Sequence, residues 1–391
     1  MLPAFFKTCK ALRNGALVLG TVFAVAACDV PATGGGPSIN AQAPVPVALL
    51  VPYGSENAGE AGLARSLENA ARLAMADLNG VEIDLRVYAT AGNASQAATV
   101  AGEAVRDGAK IILGPVYGAS ANSAGVAVAG ARVNVLSFSN NTEIAGGNVF
   151  VLGSTFDNSA RRVVSYANSQ GRSSIVVAYP QTAVGTIGRD AVVNAMAATG
   201  AGNAGTLGYE ASQNGIINTV RDVADLVRDS GASALVIADD TSGGVPLLSQ
   251  LLSENGIDPT VTQLVGITRW DIPSSTLDLP GLQGAVFPLP DPTLTQQFEQ
   301  RYSAAYGGAP HPIAGLAYDG MAAIGALVAS QGSNALTASA LTQNSGFAGV
   351  SGVFRFRSDG TNERALAVAQ IVDRQVAIVS PAPKGFGLAG F

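Results

Sequence analysis

The chain has 391 residues, 48% of them apolar and only 13% charged, with a formal net charge of −6. An acidic, sparsely charged chain of this kind lacks the basic surface that nucleic acid or anionic lipid requires, and its length suggests two domains. Two cysteines, Cys9 and Cys28, and a single histidine, His311, leave no material for a multi-histidine metal site or a disulfide framework.

Residues 1–27 read as a lipoprotein signal peptide. Lys7, Lys10 and Arg13 precede the uncharged segment 15–27, which is shorter than the roughly 20 residues that span a bilayer. Val25-Ala26-Ala27-Cys28 resembles a bacterial lipobox, in which the cysteine thiol is acylated and the cysteine becomes the new N-terminus. The other reading is an ordinary signal peptide with an incidental cysteine. Cys9 lies in the discarded leader, so the mature chain holds no cysteine pair and relies on its core. Residues 28–44 include PATGGGPSINAQAP, which has no apolar period, and read as a flexible tether.

VPVALLVPY then reads as a buried strand, and AGLARSLENAARLAMADLNG as a helix with Leu63, Leu67, Ala70, Ala74 and Leu78 on one face. VEIDLRVYA, KIILG and VNVLSF are further strands, separated by the helices SQAATVAGEAVRDGA and SANSAGVAVAGA. Such alternation implies a parallel sheet with helices on both faces. After Gly153 the pattern restarts, with helices from NSARRVVSYANSQG, IGRDAVVNAMAATG, IINTVRDVADLVRDSG and PLLSQLLSENG. Between them come the strands SSIVVAYP, a short one at 206–209, ALVIAD and TQLVGI. LTQQFEQRYSAAYGG and GLAYDGMAAIGALVAS are later helices, while GVFRF, RALAVAQIV and QVAIVS are terminal strands. The predicted fold is α/β, with two doubly wound parallel-sheet lobes that exchange chain.

Enzymatic chemistry has no supporting constellation. His311 sits between prolines in GAPHPIAG and reads as structural or surface. GAGNAG at 200–205 follows a helix and precedes a strand, the reverse of the dinucleotide fingerprint, and reads as a helix stop. Polar residues gather instead at the carboxyl ends of the strands, where open α/β sheets take ligands. The candidates there are Tyr53, Tyr117, Ser120, Ser139, Asn140, Tyr179 and Asp240. Ser120 opens a helix and could receive a carboxylate, or it and Asn140 could simply cap helices. Asp239 and Asp240 could hold an amine or serve as turn formers.

The order of VALLVPYG, ILGPVYGASANS, VLSFSNN, LVGITRW, FEQRYSAAYGGAP, LAYDGMAAIGAL and FAGVSGVFRFRSDGTNER resembles the type I periplasmic binding proteins, the superfamily of branched-chain amino-acid receptors. Trp270, Gly346-Phe347-Ala348-Gly349, the GVFRF strand, the Glu363-Arg364-Ala365-Leu366 turn and the ending PAPKGF are most similar to the lipoprotein activators of penicillin-binding proteins in Gram-negative bacteria. The resemblance implies three crossovers. It assigns 45–155 and 293–350 to an N-terminal lobe, 156–292 and 351–380 to a C-terminal lobe, and 381–391 to a tail. Tyr318 and Asp319 match the family's Tyr-Asp pair, which either starts a helix near the hinge or touches ligand. Phe138 departs from the small residues usual in its loop and would narrow the cleft or enter the core.

Two functions follow from the resemblance. The first is a non-enzymatic periplasmic lipoprotein, anchored through Cys28 to the outer or inner membrane, that binds and activates a peptidoglycan synthase. Its partner surface would lie within 266–292, where Trp270 is joined by Leu277, Leu279, Leu282, Phe287 and Leu289; those residues serve equally well as core. The second is the substrate-binding lipoprotein of an ABC importer, closing over an amino acid or another small polar solute and delivering it to a permease. Neither requires a cofactor.

Overall fold

The computed structural model describes residues 35–386. The predicted leader and Cys28 lie outside the described residues.

Val45–Val51 (β1), Ile83–Ala89 (β2), Ile111–Leu113 (β3), Asn134–Ser137 (β4) and Val149–Val151 (β5) form a parallel sheet of order β2-β1-β3-β4-β5. The pleat sends alternate residues to opposite faces. Val47, Leu49 and Val51 meet Glu60–Ala76 (α1) and Ala314–Gln331 (α9), whereas Ala48 and Leu50 meet Ala94–Arg106 (α2) and Gly118–Val128 (α3). Helices on both faces explain why these strands read as continuous apolar runs.

The second sheet follows the same logic. Ser174–Pro180 (β6), Gly202–Tyr209 (β7), Ala234–Ile237 (β8), Gln263–Gly266 (β9) and Val286–Leu289 (β10) are parallel, and Ala367–Val372 (β14) and Gln375–Ser380 (β15) add antiparallel strands, in the order β15-β14-β10-β9-β8-β6-β7. This sheet is therefore mixed. Phe156–Ser169 (α4) and Ala183–Thr199 (α5) cover one face, and Gln213–Ser230 (α6) and Val245–Glu254 (α7) the other. A small antiparallel sheet, Phe347–Gly349 (β11), Gly352–Phe356 (β12) and Asn362–Arg364 (β13), completes the strands. Pro292–Tyr306 (α8) and Ala338–Leu341 (α10) are the remaining α-helices of the described chain.

The chain passes between the lobes at 152–155, 290–291 and 365–366. The first two passages leave the carboxyl ends of β5 and β10 and enter the N-termini of α4 and α8, so the carboxyl edges of the two large sheets face each other.

Three expectations need correction. Phe347, Phe354 and Phe356 pack into the core of the first sheet, so the boundary placed at 350/351 moves to 365–366, and RALAVAQIV is broken there between β13 and β14. The tether at 28–44 is not free along its described part. Ile39 is buried in the first core, with its N–H donating to the Ser333 carbonyl. The predicted tail packs as well: Ala382 is buried in the second core, and the Phe386 ring lies under the Arg355 guanidinium.

Candidate functional site

The carboxyl edge of the first sheet is shaped by backbone before side chains. Gly114 follows β3 at φ +91°, and a Cβ there would sit 2.3 Å from the Leu50 carbonyl oxygen, so only glycine turns the chain toward Tyr117. The next segment brings Gly118 against Ser139 and Asn141, which joins the loops after β3 and β4. The N-cap of α3 is Tyr117, and no side chain caps it. Ser120 is the third residue of α3 and buried, so it is not the cap. Asn140 is exposed, and its neighbour Asn141 does the capping, accepting from the Glu143 N–H. The Ser139 hydroxyl oxygen accepts from the Asn141 N–H at 3.1 Å. Phe138 is 3% exposed and enters the core.

Two tyrosines border this edge, each beside a carboxylate. The Tyr53 hydroxyl donates to Glu68 Oε2 at 2.9 Å, and burial followed by that carboxylate pushes its pKa up to about 12. Burial and Glu60 do the same to Tyr117, which is half-exposed. Both remain protonated at neutral pH and act as hydrogen-bonding phenols.

The opposing edge holds a cavity of about 820 Å³, formed at the ends of β6, β7, β8 and β9 and the starts of α5, α6 and α7. Ile216, Ile217, Val184 and Leu247 give it an apolar wall. Thr182 and Ser212 line it as N-caps, each accepting from a backbone N–H at 3.0 Å. Asp239 is fully occupied. Its Oδ2 accepts from the Tyr209 hydroxyl at 2.6 Å and the Gly244 N–H at 2.7 Å, and its Oδ1 from the Asp240 N–H at 2.8 Å. Burial and then Asp239 hold the Tyr209 hydroxyl pKa well above the ordinary phenol value. Asp240 is exposed at the rim, with Oδ1 taken by the Ser242 and Gly243 N–H groups. An apolar wall with a few fixed polar groups suits a small amphipathic solute. Among the described residues, no group of three or more His, Cys, Asp or Glu is placed to hold a metal ion.

A family profile described as "Periplasmic binding protein" matches residues 44–375. The chain belongs to this family. No curated protein matches it. Among solved structures, a putative branched-chain amino acid ABC transporter from Rhodospirillum rubrum shares 19% identity at a TM-score of 0.73, over 86% of this chain and 100% of the other. A branched-chain amino acid ABC transporter periplasmic ligand-binding protein from Burkholderia xenovorans shares 17% at 0.66, over 86% and 96%. A solute-binding protein of an ABC transporter from Rhodopseudomonas palustris, in complex with 3,4-dihydroxybenzoic acid, shares 16% at 0.57, over 88% and 98%. These likenesses show the fold: α/β, parallel sheets, two lobes.

In this periplasmic binding protein the predicted site residues separate. Of the candidates, only Asp240 lines the 820 Å³ cavity. Tyr179 is turned onto α5, its ring under the Arg189 guanidinium at 5.0 Å and its hydroxyl accepting from Arg189. Tyr318 hydrogen-bonds Asp77 and Arg301, stacks edge-on against Phe298, and does not line the 820 Å³ cavity. Its neighbour Asp319 is 0% exposed and pairs with Arg364 Nη1 at 2.9 Å while accepting from the Val350 N–H. Trp270, the partner-surface candidate, is 0% exposed. A Cβ on Gly266 would lie 2.5 Å from its indole, so the ring is seated directly on β9. Leu282, Phe287 and Leu289 join it in the second core, and Leu277 and Leu279 pack partly buried against it, so these apolar residues serve as packing while Ile272 and the stretch after it stay exposed. Thr182, Ser212 and Tyr209 escaped the sequence reading. Their signal was their position, each at a strand end immediately before a helix.

Proposed function

We propose that the protein is the solute-binding component of an ABC importer, a binding protein and not an enzyme, and that it takes a small amphipathic solute between its lobes. The observation that carries this reading is the 820 Å³ cavity at the carboxyl edge of the second sheet, the edge that faces the loops around Tyr117 and Ser139. Solved relatives described as amino-acid or dihydroxybenzoate binders indicate the classes to test first. The uncapped start of α3 offers N–H groups to a ligand carboxylate. Asp240 Oδ2, unpaired at the rim, is suited to an ammonium group. The apolar wall would cover the remainder, and closure of the lobes would trap the solute.

The reading as an activator of a peptidoglycan synthase keeps its sequence resemblance, but Trp270, the residue offered for its partner surface, is buried. Both readings share the acylated Cys28 as anchor and the periplasm as location. Affinity capture from detergent-solubilised envelope separates them. Recovery of an ABC permease is the expected result, and recovery of a penicillin-binding protein in its place would overturn the importer reading.

A further inference from the structure

A second cavity, of about 390 Å³, lies on the N-terminal lobe between α1, the end of α8 and the segment 308–311. None of the cleft candidates lines it. Its walls combine an aromatic pair, a cation and three glycines. Tyr302 is buried, and its hydroxyl accepts from the Asn69 amide and donates to Ser66 Oγ, which also accepts from the His311 N–H at 2.7 Å. This network ties the 308–311 segment to α1. Tyr306 stands 5.0 Å from Tyr302, centroid to centroid, and is 39% exposed, so one ring face is open.

The charge at this cavity runs against that of the chain. Arg65 lines it beside the Tyr53 hydroxyl and has no carboxylate within 4 Å among the described residues; nearby Glu68 is occupied by Arg72 and by the same hydroxyl. No carboxylate lines the cavity at all. Gly62 adds an independent sign. It lies in α1 on the same face as Arg65, Ser66 and Asn69, and a Cβ there would meet no atom within 4 Å. Packing therefore does not demand glycine, which is a poor helix residue. A long side chain at this position would extend into the open space at the cavity.

We propose that this cavity is a second binding site, separate from the cleft, for an acidic sugar: a hydroxylated ring bearing a carboxylate or phosphate. The Tyr306 face would stack on the ring, the Asn69 amide would meet its hydroxyls, and Arg65 would pair with the acid group. None of the residues lining this second cavity lines the 820 Å³ cavity.

Calorimetric titration of the mature chain with glucuronic acid, glucose 6-phosphate and glucose tests this. The expected result is binding of at least one acid, with glucose at least tenfold weaker; the two acids distinguish a carboxylate site from a phosphate site. Arg65→Gln should weaken acid binding at least tenfold. Gly62→Leu should fill the cavity and abolish binding with an unchanged or raised melting temperature. Ile217→Glu, in the cleft, should leave it untouched. Binding of neither acid, equal binding of glucose, retained affinity in Gly62→Leu, or loss in Ile217→Glu would each overturn the proposal.

Discussion

Asp77, at the end of α1, ties that helix to α8 and α9. It pairs with Arg301 and hydrogen-bonds Tyr318, which draws the family's Tyr-Asp motif into helix packing. Desolvation works to raise its carboxyl pKa, and the Arg301 and Tyr318 contacts outweigh it, leaving the value below the ordinary range. A depressed carboxyl contributes stability above its unfolded pKa of about 3.9, and that contribution disappears as pH falls through the folded value. Asp77→Asn should therefore cost at most about 1 kcal/mol at pH 7, since the pair is half-exposed, and less as pH falls toward 2; urea unfolding at both values checks this. Arg364 differs because it is buried. It is bound to Asp319 and to the Leu152 carbonyl, with its guanidinium over the Phe354 ring at 4.7 Å. Arg364→Met would strand a buried carboxylate and should cost about 3–5 kcal/mol, while Arg364→Met with Asp319→Leu should recover part of that loss. The sequence shows Asp319 and Arg364 as a helix residue and a turn residue 45 positions apart. Nothing local marks them as partners, because their meeting depends on the small antiparallel sheet packing onto α9.

At the scale of elements, periodicity located the helices and the long apolar strands, since each buries a face that its spacing displays. It failed where an element is short or defined by its neighbours. β5 and β10 have three and four residues and no alternation, and RALAVAQIV reads as one strand although its first residue ends β13 and its last six form β14, on either side of a passage between lobes. The leucines beyond Trp270 looked like excess apolar surface because the short helical turns at 274–282 that seat them against the second core were not recognised. Trp270→Ala should consequently cost about 3–5 kcal/mol and lower the melting temperature by several degrees. Circular dichroism melting checks it, and an unchanged midpoint would contradict the burial. The polar segment 35–44 was unreadable for a similar reason. Ile39, with Ala41 partly buried beside it, fastens it to the core, and two small stretches of contact in a polar segment show no period.

For the whole molecule, the order of strands and helices was enough to foresee two α/β lobes, because parallel sheets admit few connections. The cleft was legible only as a location. Strand ends mark where a ligand sits, but which side chains line the cavity depends on how each helix starts, and a capping residue such as Ser212 reads the same with or without a ligand nearby. The central claim is that the two facing carboxyl edges bind one small solute. Calorimetric titration of the mature chain against the amino acids and a series of aromatic carboxylates tests it most directly, with Ile217→Glu, which sets a charge in the apolar wall, as the control. One solute of the panel should bind with one-to-one stoichiometry and lose at least tenfold in affinity in Ile217→Glu; binding that Ile217→Glu leaves unchanged, or no binding by any member of the panel, would contradict it.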